Sequence, residues 1–228
     1  MPPKLSIIIP SLNAADDLPL CLASLMPGVE TGLIREVILV DGGSSDATIE
    51  IARDAGAKVI PASAPGRAKQ LIQGAAAARC DWLLFLHADT ALSQDWAGAV
   101  GAHIHTHPGK AASFKLVYRT DARAGRRLAA RANFRARLLG LPYGDQGLLI
   151  SRRLYDEIGG FCDIPLMEDV QIVRAIGKGR LTILDATAHT SAAKYERDGW
   201  RRRSWSNAWL LTRYLLGAEP EKLAKSYT

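Results

Sequence analysis

Cysteine is scarce: three in 228 residues (Cys21, Cys80, Cys162), far apart and without paired spacing. That argues against a disulfide framework and a Cys-rich zinc site, and it suits a reducing compartment. No apolar run approaches the ~18 residues of a transmembrane helix. The start does not read as a signal peptide, because Lys4 is followed at once by the strand-like SIIIP. No internal repeat, low-complexity tract or Ser/Gly linker is present, so the expectation is one domain over residues 1–228, with the cytoplasm as its address. Two phosphate-binding fingerprints are also missing, the G-x-x-x-x-G-K-S/T loop and the G-x-G-x-x-G turn. RRM, KH and zinc-finger signatures are absent too, which speaks against nucleic acid as a partner.

What the chain does have is 48% apolar residues in short runs punctuated by Gly, Pro, Asp and Asn, the composition of a folded protein with a real core. Its net charge of +6 is unevenly spread. Residues 115–140 carry a net +7 and residues 194–213 a net +4, which leaves the remainder near −5. Two basic patches on a mildly acidic body point to an anionic partner rather than to a uniformly basic binder.

Continuous apolar strands alternate with helical spacing in the first half. Strands are expected at 4–10, 36–40, 58–61 and 81–86, and helices at 17–26, 46–55 and 65–78. Apolar runs of this kind belong to strands covered on both faces, so the fold class is α/β with an open, mainly parallel sheet flanked by helices. The second half predicts a helix over 120–139 with Arg123, Arg127, Arg131 and Arg135 at steps of four, a strand at 147–151, a helix at 167–176, a strand at 181–184 and a final helix at 199–216. Within the domain, 1–90 reads as a nucleotide-binding half, 91–198 as an acceptor-side half and 199–228 as a helical tail.

Polar residues gather where the first-half strands end: Asn13, Asp41, then His87 and Asp89. Open α/β sheets bind ligands at that edge. Asp41-Gly42-Gly43-Ser44-Ser45-Asp46 offers a carboxylate beside a tight turn and then hydroxyls, which suits gripping a base or ribose. His87-Ala88-Asp89 sets two potential ligands on one side of a strand end, suited to a divalent ion on a diphosphate, with Mn2+ tolerating the nitrogen better than Mg2+. Glu168 and Asp169 open a helix, where carboxylates are also stabilising without any chemistry. Tyr143 and the island Gly144-Asp145-Gln146-Gly147 precede an apolar strand. These islands facing a nucleotide-like edge describe a donor and an acceptor subsite, and the transferred group is not named by them.

The order of these motifs resembles the family 2 glycosyltransferases of the GT-A fold, and within them a group of small bacterial enzymes associated with arsenosugar biosynthesis and radical-SAM proteins. SIIIPSLN, VDGGSSDAT (40–48), PGRAKQ, LFLHADT (84–90), PYGDQG (142–147) and PLMEDV (165–170) carry the likeness. It implies an inverting, metal-dependent transfer of a sugar from a nucleotide-sugar donor to an acceptor hydroxyl, on a small or lipid-linked compound. By resemblance Asn13, Asp17, Asp41 and Gly43 would hold the nucleoside, with Asp41 meeting the base, and Arg67 would lie near the phosphates. Asp89 would carry the metal, Mn2+ or Mg2+, with His87 in the first place of the D-x-D motif. Asp169 would be the general base and Glu168 its neighbour or a ligand to the acceptor hydroxyl, while Asp145 and Gln146 would position hydroxyls. His189 matches a late histidine that reaches the metal in some GT-A enzymes. The stretch 188–200 departs from the family's usual form, with Ala193 and Lys194 where an arginine pair is expected, so Lys194 supplies one charge there.

Two other classes remain open on residues alone. A sugar nucleotidyltransferase shares strand-end carboxylates and a divalent ion, but it should carry a basic Gly-rich loop where this chain has SLNAADD. A non-enzymatic module binding an anionic surface would use the basic patches. The final helix, with Trp200, Trp205 and Trp209 and the cluster Arg201-Arg202-Arg203, reads equally as an interfacial helix at an anionic membrane surface, which would make the protein peripheral at the inner face of the membrane, or as a helix closing the core.

Overall fold

The apolar run LSIIIPS forms β1 (Leu5–Ser11), every residue of it buried, in a computed structural model that describes residues 4–225. The first and last three residues, including the end of the expected tail, lie outside the described residues. The chain continues through α1 (Leu18–Ala23), α2 (Met26–Glu30), β2 (Ile34–Asp41), α3 (Thr48–Asp54), β3 (Lys58–Pro61), α4 (Arg67–Ala77) and β4 (Trp82–Phe85). The helix expected at 17–26 breaks near Ser24 and restarts, with Pro27 in the first turn of α2, where a missing N–H costs nothing.

The second half adds β5 (Thr90–Leu92), α5 (Trp96–Thr106), β6 (Ala111–Arg119), α6 (Arg123–Leu139), β7 (Leu148–Ser151) and α7 (Arg152–Glu157). It ends with α8 (Glu168–Ile176), β8 (Leu181–Ser191), α9 (Ala193–Asp198), α10 (Trp200–Leu215) and α11 (Pro220–Lys225). The strand expected at 181–184 therefore runs seven residues further.

One eight-stranded sheet has the order β3-β2-β1-β4-β7-β6-β8-β5. The first four strands are parallel throughout, as their apolar runs imply. Beyond β4 the sheet is mixed: β7 is antiparallel to β4 and β6, β6 and β8 are parallel, and β5 is antiparallel to β8. Ile7 and Ile9 of β1 join Leu18, Trp96 and Phe114 on one face, whereas Ile8 joins Leu83, Phe85, Ile150 and Ile172 on the other. A third cluster seats α6 on Leu116 and Tyr118 through Ala129 and Ala132. The carboxyl ends of β1, β2 and β4 consequently open on one edge, bounded by the 143–147 turn and the start of α8.

Candidate active site

Two loops at that edge are fastened to each other. The Asn13 backbone, at φ 48°, is in the left-handed region that asparagine tolerates. Its amide donates to Ser44 Oγ at 2.9 Å, and its side-chain Oδ1 accepts from the Ser45 amide at 2.9 Å. The Ala15 amide donates to Asp46 Oδ2 at 3.1 Å and the Ala14 amide to Thr48 Oγ1 at 2.8 Å. Asp41 is buried, and its carboxylate accepts from the Gly43 and Ser44 amides at 2.9 Å each and from Ser44 Oγ at 2.5 Å. Gln70 of α4 donates through Nε2 to Ser11 O at 2.7 Å and Val40 O at 2.9 Å, tying β1 to β2 beneath the loops.

The result is a cleft of about 410 Å³ lined by Asn13, Asp17, Gly42, Arg67, Asp89 and Lys194 among others. Asp41 and Gly43 stand behind its wall. Three hydrogen bonds from Gly43 and Ser44 hold the Asp41 carboxylate and shape the loop above it. Asp17 pairs with Arg119 at the end of β6, which also donates to the Asp89 backbone oxygen at 3.2 Å.

His87 and Asp89 sit where this cleft meets a second one. Burial, then the neighbouring Arg67 guanidinium, pushes the His87 imidazole down to about 4, so the ring is neutral near pH 7. Asp89 is partly exposed, with Lys194 Nζ 3.9 Å from its Oδ2 and Thr190 Oγ1 3.4 Å from its Oδ1. The second cleft, about 190 Å³, is lined by Arg67, His87, Asp89, Tyr143, Asp145, Asp169 and Lys194, with Tyr118, Tyr195, Arg203, Asn207 and Leu210 on its far side.

Asp169 and Glu168 part company here. Met167, at φ 69°, turns the chain sharply into α8. Asp169 faces the second cleft, its Oδ2 accepting from the Gly144 amide at 2.9 Å and its Oδ1 from the Val170 amide at 2.8 Å. Glu168 is only 2% exposed, does not line the cleft, and is held by Arg67 Nε. Burial raises its carboxyl, while Arg67 opposes that rise. Glu168 thus anchors Arg67 beside Asp169.

Asp145 lines the second cleft, but one oxygen, Oδ1, is enclosed without a hydrogen-bond partner among the described residues. Burial pushes its carboxyl up to about 6, with Arg135 pulling the other way. Gln146, by contrast, is fully buried; its Nε2 donates to Phe114 O at 3.0 Å and its Oε1 is enclosed without a hydrogen-bond partner among the described residues. Strand residues alternate in facing, and since Thr190 points at Asp89, His189 points away, its Nε2 2.7 Å from Thr187 Oγ1. Among the described residues no three His, Cys, Asp or Glu side chains converge as a metal cluster. Sequence reasoning missed Arg119 and the tyrosine wall, because the strand carrying Tyr118 and Arg119 went unrecognised, and it gave Gln70 of the expected helix at 65–78 no role.

Solved structures with this arrangement are those of GT-A glycosyltransferases. Glucosyl-3-phosphoglycerate synthase from Mycobacterium tuberculosis, in complex with Mn2+, UDP and glucosyl-3-phosphoglycerate, superposes with a TM-score of 0.60 at 21% identity, covering 83% of this chain and 70% of that one. Residues 1–349 of S. aureus TarS give a TM-score of 0.61 at 19% identity, covering 82% and 60%. These likenesses establish the fold. The model of the family described as glycosyl transferase family 2 matches residues 6–163, and the chain belongs to that family. Among curated relatives, the PGL/p-HBAD biosynthesis glycosyltransferase of Mycobacterium bovis (strain BCG / Pasteur 1173P2) is 39% identical over 112 residues, 46% of this chain and 43% of the relative. The uncharacterized glycosyltransferase YibD of Escherichia coli K12 is 46% identical over 50 residues, 22% and 14% of the two chains. The match thus spans under half the length of the first of these relatives.

Proposed function

We propose that this chain is an inverting glycosyltransferase that moves a sugar from a nucleotide-sugar donor to an acceptor hydroxyl. The observation that carries the reading is the meeting of two clefts at Arg67, His87, Asp89 and Lys194, with Asp169 on the wall of the second alone. The first cleft takes the nucleotide: Asn13 and Asp17 lie along it, and Arg67 and Lys194 stand at its junction with the second, where a diphosphate would need cations. Asp169, its two oxygens aimed by backbone amides, takes the proton from the attacking hydroxyl as the anomeric bond lengthens. Asp145, which lines the second cleft, positions a hydroxyl of the acceptor or the transferred sugar.

A divalent ion, Mn2+ or Mg2+, fits the donor set at the junction. Asp89 offers a carboxylate, and the neutral His87 imidazole retains a lone pair for ligation. With no third such donor among the described residues, its other ligands would come from the diphosphate and water. Once bound, such an ion offsets negative charge growing on the leaving diphosphate. The reading is supported by the structure of the M. tuberculosis synthase with Mn2+ and UDP.

The test is a panel of nucleotide sugars, with and without Mn2+, read by thermal shift and by release of nucleoside diphosphate. One donor should stabilise the protein and turn over, and the anomeric configuration of the product should be opposite to the donor's. Retained configuration, or release of pyrophosphate from a nucleoside triphosphate and a sugar phosphate instead, would sink the reading.

A further inference from the structure

The helix α10 has two unlike faces. Arg203, Asn207 and Leu210 point inward and wall the second cleft. On the opposite side Trp205, Trp209 and Leu216, the residue capping the helix, are 75%, 64% and 83% exposed, far more than a helix that closes a core would leave in water. At 100° per residue these three fall within a 40° arc, with Arg201 on one flank and Arg202 and Arg213 on the other. The neighbouring α6, against whose Gly125 the Trp200 ring packs, repeats the pattern. It has no acidic residue from Arg123 to Leu139, and Phe134 and Leu138 are exposed among Arg127 and Arg131.

We infer that α10, with α6 beside it, seats the protein on an anionic lipid surface through the face turned away from the second cleft. Charge selects the occupant. A second copy of this chain would set arginine against arginine around the same apolar stripe, which is repulsive, whereas an anionic bilayer matches both the stripe and its cationic flanks. Tryptophan is suited to the headgroup boundary, where an apolar ring and a polar N–H both find partners. No helix among the described residues is long and apolar enough to cross a membrane, so the contact is interfacial. The docking stands independently of the catalytic reading.

The experiment uses the purified full chain with vesicles of phosphatidylcholine alone or mixed with phosphatidylglycerol, read by co-sedimentation and by tryptophan emission. The expected result is binding to the mixed vesicles only, a blue shift on binding, and release at high salt. Trp205→Ser with Trp209→Ser should abolish the shift and most of the binding. Each of Arg127→Gln, Arg131→Gln, Arg201→Gln and Arg202→Gln should lower partitioning roughly fivefold. Circular dichroism and donor-dependent nucleotide release by these variants, measured without vesicles, should match the wild type, which separates failed docking from failed catalysis. Protein that stays in the supernatant with every vesicle while folded overturns the inference. So does a dimer in solution that the two tryptophan changes dissociate, or salt-sensitive binding to an oligonucleotide that exceeds binding to vesicles and ignores those changes.

Discussion

Arg67, opening α4, donates through Nε to Glu168, opening α8, and so joins two helix starts 101 positions apart in sequence. The pair spans the donor and acceptor sides of the site, and its two members differ in exposure. Glu168 is buried and Arg67 is not, so the cost of breaking the pair depends on which side is cut. Arg67→Ala leaves a buried carboxylate without its guanidinium and should cost about 1–3 kcal/mol. Glu168→Gln leaves a cation that reaches water and should cost less. In a double-mutant cycle by urea unfolding, the Arg67→Ala/Glu168→Gln protein should be more stable than the sum of the single effects. Strict additivity would show that the two groups do not act together.

The same pair separates the roles of the two neighbouring acids. Asp169→Asn keeps the shape of a group whose oxygens are held by the Gly144 and Val170 amides, yet removes its basicity. Turnover should fall by about 10²- to 10⁴-fold with donor affinity nearly unchanged. Glu168→Gln should show its effect in stability and in donor binding, through Arg67. Steady-state kinetics with donor and acceptor varied separately distinguish the two. Normal turnover of Asp169→Asn would remove it as the base.

How much of this was legible in the sequence depends on how each segment is buried. β1 and β4 are buried along their whole length and β2 over its last four residues, so they appear as largely apolar runs, whereas β3 is short and only half-buried. The segment forming β6, AASFKLVYR, starts with small residues and carries Lys115 and Arg119, which read as part of a basic patch. In α5 two glycines and two histidines hide a helix whose stability comes from packing Trp96, Val100 and Ile104 into the core. The far end of β8, DATAHTS, is small and polar, and it is strand because β6 and β5 pair with it on both edges. Site residues followed the same division. Asp89 and Asp169 stand in chain-local motifs, whereas a polar residue such as Gln146 in a polar island gives no sign that Phe114 O lies beneath it. The facing of His189 is set by a register that only the sheet defines.

Asp145 gives the protein a pH dependence with a definite sign. Its carboxyl stands near 6 in the folded chain against about 3.9 when unfolded. The folded state therefore holds the proton more tightly, and this group's contribution to stability is full below about pH 4 and is lost as pH rises through 6. Asp145→Asn mimics the protonated form. It should raise stability at pH 7.5 by about 1–3 kcal/mol and change it little at pH 4, if burial dominates as its shift implies. Thermal unfolding at the two pH values checks this. An equal effect at both, or destabilisation at pH 7.5 alone, would show that the charged form is the one the fold favours. Activity of the variant is expected to fall even as stability rises, since a carboxamide replaces the carboxylate of a residue that lines the cleft.

The tightest approach in the site is that of Gly144 to His87. A methyl group on the Gly144 Cα would lie 2.6 Å from His87 Nε2 and 3.5 Å from Asp169 Oδ2. The backbone of Gly144 has no positive φ, so alanine is acceptable there as far as the main chain is concerned, and the whole effect is on the neighbours. The ring of His87 must turn or shift, and the amide that aims the Asp169 carboxylate moves with the turn that carries it. Gly144→Ala should therefore reduce turnover by about tenfold or more, the cost of small misplacements in a positioned site. The accompanying loss of stability should be small, about 1–2 kcal/mol, in the range of modest overpacking. Any divalent-ion dependence of donor binding should weaken in the same variant, because His87 is displaced, while binding of the nucleoside portion in the first cleft stays as it was. Calorimetric titration with a nucleoside diphosphate, with and without Mn2+, beside turnover and unfolding curves, measures all three. A variant with unchanged turnover and unchanged metal response would mean that neither His87 nor the Gly144 amide is placed for the reaction.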